Sequence, residues 1–250
     1  MFKVATCTVT GYTEREDTHL RMVLLSNAVS QLSNIGVNLF CLPGGYLYVS
    51  HVDQIHQLKV QIEDLAKSAN IDLLVGIDVG LKNNVPADEL VHLGQLPAFS
   101  FFASRDGRVA MWRQRTTNST NQHLVSDSVC QEERLLRATP RVESLICGEI
   151  FNQRIRDGFR LRNTILVIDL AHTSFRFRVS GSMKSLSKNG ISSLCSVHTN
   201  SIGGVKYCYV PEQQGNGCKS SRIVDIAVGV LPRIEIKIWK FDLSGRIIED

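Results

Sequence analysis

The first third of the chain alternates between apolar or strand-like runs and stretches in which apolar residues recur every three or four positions. Short apolar runs are typical of buried strands, and the longer spacing is typical of amphipathic helices. We therefore predict strands over 3–9, 37–42 and 71–79, with helices from Asp17-Thr18 to Gly36 and over about 51–69. This β-α-β-α-β order indicates parallel strands joined by crossover helices.

A hairpin precedes a second set of alternating elements. Asp106-Gly107 lies between the apolar runs 98–103 and 108–113, which predicts a tight antiparallel turn. The polar stretch 114–138 is predicted to be an irregular loop. Beyond it we predict strands over 142–147, 164–169 and 192–197, helices over about 152–162 and 180–188, a loop over 199–221, and two antiparallel closing strands over 222–228 and 233–241.

These elements predict one α/β domain over residues 1–250, built from two similar halves. In open α/β sheets, ligands bind beyond the carboxyl ends of the strands. The loops after residues 42, 113, 147 and 170 are therefore expected to carry any site.

Composition narrows the classes of function. Hydrophobic residues make up 43% of the chain and charged residues 21%, as in ordinary globular proteins, and no apolar run approaches the ~20 residues of a membrane span. The net charge of +4 comes from interleaved basic and acidic residues, so neither a membrane nor a nucleic-acid partner is expected. The N-terminal stretch alternates like a strand and does not resemble a signal peptide. Seven scattered cysteines without a C-x-x-C pair predict a cytoplasmic location.

Two other groups of residues favour structural roles. Cys195 and His198 are followed by two further cysteines, but the gaps of nine residues are unlike the paired spacing of structural zinc sites, so no metal is predicted. The arginines between positions 154 and 178 do not form one stripe and are expected on a solvated surface.

Four stretches resemble segments of the nitrilase, or carbon–nitrogen hydrolase, superfamily. The most specific is 143–157, where Cys147 is followed at the second position by Glu149, as in the nucleophile elbow of that family. At 39–47 a strand ends in Pro and a turn, and at 106–115 an Asp-Gly turn precedes a strand with a basic tail. At 183–200 a helix is followed by Asn-Gly and a strand. The resemblance implies a four-layer α-β-β-α sandwich that needs no cofactor and forms a homodimer.

The resemblance also implies a catalytic set of Glu, Lys and Cys. In that family the thiolate attacks a nitrile or amide carbon, the Glu moves protons, and the Lys stabilises the developing negative charge. Here the Glu position falls on Gly44 and the Lys position on Gln114, and only the nucleophile position keeps its residue, Cys147. Loss of one oxyanion stabiliser costs on the order of 10²–10³ in rate, and loss of the base adds to this.

Other residues are candidates to replace the missing groups. Arg115 is the nearest cation to the Lys position, and Glu133 or its neighbour Glu132 is a candidate acid in the following loop. Glu149 is a further acid beside the nucleophile. Together with Cys147, we predict Arg115, Glu133 and Glu149 as catalytic residues. The residues predicted to bind a ligand are Gly44, Tyr46, Gln114 and His172.

Two functions therefore remain open. The missing Glu and Lys favour a degenerate domain that binds a small-molecule ligand or a partner without hydrolysis. The retained Cys147 favours an active amidase-type or nitrilase-type hydrolase of a small substrate, with a rearranged acid and cation.

Overall fold

The structure is a computed structural model that describes residues 1–10, 18–80, 86–117, 121–173, 177–199, 208–211, 222–227 and 233–248. Its strands are β1 Phe2–Thr10, β2 Leu39–Cys41, β3 Leu47–Val49, β4 Asp72–Val79, β5 Ala98–Ala103, β6 Val109–Arg113, β7 Leu135–Arg137, β8 Val142–Ile146, β9 Leu166–Ala171, β10 Ser192–Thr199, β11 Cys208–Tyr209, β12 Arg222–Ala227 and β13 Arg233–Phe241. Its α-helices are α1 Thr18–Asn34, α2 Ile55–Ala69, α3 Ala87–His92, α4 Asp127–Cys130, α5 Gln153–Leu161 and α6 Phe177–Lys188. Short 3-10 turns lie at Val52–Gln54, Gln122–Leu124 and Cys147–Phe151. None of the helices in these ranges has both the length and the apolar character needed to cross a membrane.

Strand β1 joins the two halves of the molecule into one curled sheet. One edge of β1 pairs antiparallel with β13 along Phe2–Thr10. The other edge pairs in parallel with β2 through Val4–Thr6 and then with β10 through Thr8–Thr10. Because β2 and β10 follow each other along the same edge, the sheet divides there. One row continues as β2-β4-β5-β6 and the other as β10-β9-β8-β7.

Successive strand residues face two different cores, as the period of two in a strand requires. On β2, Phe40 packs with the apolar faces of α1 and α2, whereas Leu39 packs with residues of the second half. The second half is covered by α5 and α6, through side chains such as Ile155 and Met183. Each buried side chain of this size contributes about 1.5–3 kcal/mol relative to an exposed one. The layers are helix, sheet, sheet and helix, so the predicted α-β-β-α sandwich is confirmed.

Most predicted elements are confirmed, and the exceptions are short. Parallel pairing within each half, the hairpin of β5 and β6, and the antiparallel pair of β12 and β13 all agree with the prediction. The prediction that 114–138 is irregular throughout is wrong, because this stretch contains α4 and β7. The sequence pattern also does not predict β3 or α3, since three to six residues are too few to display a period. Most of the predicted loop 199–221 lies outside the described residues.

Candidate active site

Cys147 lies at a sharp turn between a buried strand and a helix. β8 ends at Ile146, Cys147 begins the 3-10 turn, and α5 follows. The φ angle of Cys147 is 48°, in the left-handed region that costs a non-glycine residue roughly 1–2 kcal/mol. A Cβ at the next residue, Gly148, would lie 1.7 Å from the carbonyl oxygen of Thr117, so only glycine lets the loop after β6 pack on this turn. Strain of this kind is typical of residues that present a nucleophile.

His172 follows the last residue of β9 and contacts groups from two other segments. Its Nε2 lies 2.8 Å from Oδ1 of Asp78, one residue before the end of β4. The ring also forms a hydrogen bond with Cys147. Burial favours the neutral ring, but the hydrogen bonds and electrostatic interactions with Asp78 and Cys147 outweigh burial and raise the pKa of His172 to about 10. His172 is therefore an imidazolium at neutral pH.

Two glycines in the turn after β2 leave room for this histidine. A Cβ at Gly44 would lie 2.8 Å from Nδ1 and Cε1 of His172, and 2.7 Å from the carbonyl oxygen of Leu170. Gly45 has a φ of +63°, and a Cβ there would lie 2.6 Å from Oδ2 of Asp78. A glutamate at position 44 does not fit beside His172. The imidazole thus lies against the residue to which the family resemblance assigns a glutamate.

Arg21 of α1 holds the same turn. Its guanidinium donates to the carbonyl oxygens of Gly45, at 3.2 Å, and of Tyr46. The Tyr46 hydroxyl donates in return to the carbonyl oxygen of Arg21 at 2.9 Å. Tyr46 is fully buried, and these contacts give it a role in fixing the turn. Its predicted contact with a ligand stays a prediction.

His198, near the end of β10, contacts both the turn and His172. It is 6% exposed, and the backbone of His172 and of Gly44 acts on its ring, whose Nε2 makes no hydrogen bond within the described residues. Burial, together with the positive charges of Arg21 and His172, lowers the pKa of His198 to about 3. His198 is therefore a neutral imidazole next to a charged one.

Glu149 and Arg115, both predicted as catalytic, form a buried ion pair with each other. Oε1 of the fully buried Glu149 accepts the backbone N–H of Arg115 at 2.6 Å. Oε2 accepts from Nη2 of Arg115 at 3.1 Å, from Nη1 of Arg134 at 3.0 Å and from the backbone N–H of Ile146 at 3.1 Å. Burial raises the pKa of Glu149, but the charges of both arginines and the hydrogen bonds from Arg115 outweigh burial and lower it below the usual range. These contacts tie the Cys147 turn to the loop after β6.

Gln114 is buried and carries no charge. Its backbone N–H donates to the carbonyl oxygen of Ala98 at 2.8 Å, and Ala98 belongs to one buried cluster with Ile146 and Cys147. Its side-chain Nε2 donates to the carbonyl oxygen of Thr116 at 2.7 Å. The residue at the family's Lys position is thus buried and neutral.

Glu132 and Glu133 lie at the surface. Their side chains are each 45% exposed, and they pair with Arg134 at 3.1 Å and with Arg141 at 2.6 Å. No contact in the described part of the chain joins either glutamate to Cys147. The catalytic assignment of Glu133, like those of Arg115 and Glu149, stays a prediction, and the geometry gives all three an ion-pair partner instead.

Asp169 is a buried carboxyl group near the Cys147 turn. This β9 residue is 1% exposed, and neither oxygen of its carboxyl group has a hydrogen-bond partner among the described residues. Burial, followed by the charge of Glu149, raises the pKa of Asp169 well above the usual range. Burial without hydrogen-bond donors therefore disfavours the charged form of Asp169. In the ranges that the structure covers, no group of three His, Cys, Asp or Glu side chains is arranged to hold a metal ion.

Sequence reasoning named His172, considered His198 only as a zinc ligand, and missed Asp78 and Asp169. The residues His172 and Asp78 are separated by 94 positions, so no local spacing connects them. The available signal was a polar residue near the carboxyl end of an apolar strand, and that signal applies to all of these positions.

Several solved structures that are similar to this chain are amidases. An amidase from Nesterenkonia sp. matches with a TM-score of 0.64 and 16% identity, over 95% of this chain and 89% of that one. A double mutant of the amidase from Nesterenkonia sp. AN1 in complex with acrylamide matches with a TM-score of 0.65 and 16% identity, over 96% and 90%. A further mutant, with the acetamide moiety of fluoroacetamide added covalently at the active-site cysteine, matches with a TM-score of 0.64 and 16% identity, over 95% and 89%. No protein-family model and no curated protein sequence matches the chain.

The chain has the nitrilase-superfamily fold, the fold of carbon–nitrogen hydrolases. The resemblance drawn from the sequence is confirmed at that level, since the amidase structures are aligned over nearly the whole chain.

Proposed function

We propose that the protein hydrolyses the carbon–nitrogen bond of small amides through Cys147, with His172 moving protons and Asp78 orienting His172. One observation supports this proposal above all others. A single imidazole contacts both a strained elbow cysteine and an aspartate that is 7% exposed. Nucleophile, proton carrier and orienting acid in this relation perform acyl transfer on several unrelated folds.

The first half-reaction forms a thioester. The Cys147 thiolate bonds to the amide carbon, and the carbonyl oxygen takes up the negative charge. As the tetrahedral species collapses, the imidazolium of His172 gives its proton to the nitrogen and the C–N bond breaks. Ammonia or an amine leaves, the acyl group stays on Cys147, and His172 is neutral.

The second half-reaction restores the site. Neutral His172 takes a proton from water while the water oxygen bonds to the thioester carbon. The C–S bond breaks, the carboxylic acid leaves, and the pair of thiolate and imidazolium returns. Asp78 holds the ring in position throughout.

The chemistry is expected to be slower than in a site with the family's lysine. The position of that cation is occupied by Gln114, whose amide is engaged with Thr116. Arg115 is neutralised by Glu149. The oxyanion is then stabilised without that cation, and loss of one strong donor costs about 10²–10³ in kcat.

A domain that binds an amide without hydrolysing it is the second candidate. The neutral Gln114 at the family's Lys position favours it. The homodimer and the cytoplasmic location remain predictions from the sequence and its family resemblance.

Ammonia release from acetamide, propionamide and butyramide separates the two candidates. We expect hydrolysis of at least one amide, and Cys147→Ala, His172→Gln and Asp78→Asn should each lower kcat/KM by at least about 100-fold. His123→Gln and Asp88→Asn change an exposed histidine and an exposed aspartate and should leave kcat/KM unchanged. If all three amides bind calorimetrically but release no more ammonia than with Cys147→Ala, the hydrolase proposal is wrong.

A further inference from the structure

The turn that carries Gly44 is held from two elements, and both contacts use the backbone of the turn. Arg21 of α1 donates to the carbonyl oxygens of Gly45 and Tyr46. The backbone of Gly44 and of His172 acts on the ring of His198 in β10. Arg21 and His198 therefore both act on the backbone of the turn, from helix α1 and from strand β10.

The sheet register places His198 beside the strand that leads to His172. Val197 of β10 is paired with Ala171 of β9, so His198 and His172 follow paired residues on neighbouring parallel strands. On its other edge, β10 pairs with β1, where His198 is opposite Val9. Pairing of β10 with both β1 and β9 therefore fixes the backbone position of His198.

The chemistry of a neutral imidazole suits this position. The positive charges of Arg21 and His172 both act on His198. A lysine or arginine at position 198 would add a third cation in a buried region, whereas a neutral histidine supplies an N–H group without charge.

We infer that His198 is a positioning residue for His172, because it joins the backbone of the base to the turn against which the base packs. This inference rests on the proposed function, in which His172 serves Cys147. The ring of His172 lies so close to Gly44 that a Cβ there would be 2.8 Å from it. A shift of the turn therefore changes the position of the ring relative to Cys147 and Asp78. Misplacement by about 1 Å can cost about 10²-fold in rate.

The titration of His172 reports its position directly. The groups that act on its ring are Asp78 from β4, Cys147 from the elbow, Asp169 from β9 and His198 from β10. The ring nitrogen resonances of His172 can be followed by NMR from pH 5 to 11 in the intact protein. In the unchanged chain we expect a midpoint near the pKa of about 10.

Four variants at position 198 test the inference. His198→Phe and His198→Leu remove the N–H group and should lower the His172 midpoint by at least about one unit towards 6.5. His198→Asn places an amide N–H near the position of one ring nitrogen, and His198→Gln places it near the other. One of these two variants should keep the His172 midpoint near that of the unchanged chain. His123→Gln is the matched control at an exposed histidine.

The outcomes separate this inference from the proposed function. A midpoint near 6.5 in the unchanged chain contradicts the proposed function. A high midpoint that stays unchanged in all folded variants overturns the positioning role alone. If the Phe and Leu variants do not fold, the Asn and Gln variants decide. A midpoint that is lowered in one of them and kept in the other supports the inference, and the same midpoint in both overturns it.

Discussion

Gly44 bears no side chain because the ring of His172 fills the adjacent space, where a Cβ would approach Nδ1 to 2.8 Å. The proton-transferring group that we propose is therefore supplied from the end of β9 instead of from the turn after β2. Local sequence identifies Cys147, since the elbow is a contiguous motif. It cannot identify the pair of His172 and Asp78, because the two residues are 94 positions apart and no local motif connects them.

Glu149 is expected to act on stability. Its carboxylate is fully buried and bonded to two arginines, so Glu149→Gln should lower the free energy of unfolding by about 3–5 kcal/mol at pH 7. The native pKa of Glu149 lies below the unfolded value of ~4.3, so its contribution is complete above that pH and is lost as the pH falls further. The difference between the two chains should therefore shrink below about pH 4.3.

Urea titrations at several pH values measure this difference. Glu133→Gln removes a surface ion pair with Arg141 and should change the free energy of unfolding by less than about 1 kcal/mol. Equal effects of the two substitutions would contradict the buried role of Glu149.

At the scale of elements, length decides what the sequence predicts. Helices α1 and α2 and strand β4 run for 17, 15 and 8 residues, and their periodicity is visible in the sequence. Helix α4 and strand β7 run for 4 and 3 residues, and tertiary contacts fix them instead. The order of the long elements is therefore predictable, but the packing of one element on another is not.

Contact between β4 and the turn after β2 is one such packing detail. A Cβ at Gly76 would lie 2.1 Å from the carbonyl oxygen of Pro43 and 2.5 Å from the Cα of Gly44. Gly76→Ala should displace the turn, lower the free energy of unfolding by about 1–3 kcal/mol, and reduce amide hydrolysis. Denaturation and ammonia release measure the two effects.

Gly181 provides the matched control, because a Cβ at this position in α6 would meet no atom within 4 Å. Gly181→Ala should stabilise the protein by about 0.5–1 kcal/mol and leave hydrolysis unchanged. An active and fully stable Gly76→Ala variant would show that the turn does not depend on this contact.

At the scale of the whole molecule, the site forms only because the sheet divides at β1. Asp78 belongs to the row of β2 and β4, whereas Cys147, His172 and His198 belong to the row of β8, β9 and β10. The two rows meet at β1, because β2 and β10 both pair with the same edge of that strand. Periodicity alone predicts the rows but not their meeting, and the family resemblance supplied that information.

The central claim is that His172 pairs with the Cys147 thiolate. The most direct test is the rate of Cys147 alkylation by iodoacetamide at pH 6 and pH 9, followed by mass spectrometry. For a free thiol with a pKa of ~8.5, the fraction present as thiolate falls by more than about 100-fold from pH 9 to pH 6. His172 keeps its charge over this range, since its pKa is raised to about 10.

We predict that the rate in the unchanged chain differs by less than about tenfold between pH 9 and pH 6, and that His172→Gln restores a difference of about 100-fold or more. A fall of about 100-fold in the unchanged chain, matching that of His172→Gln, would contradict the account.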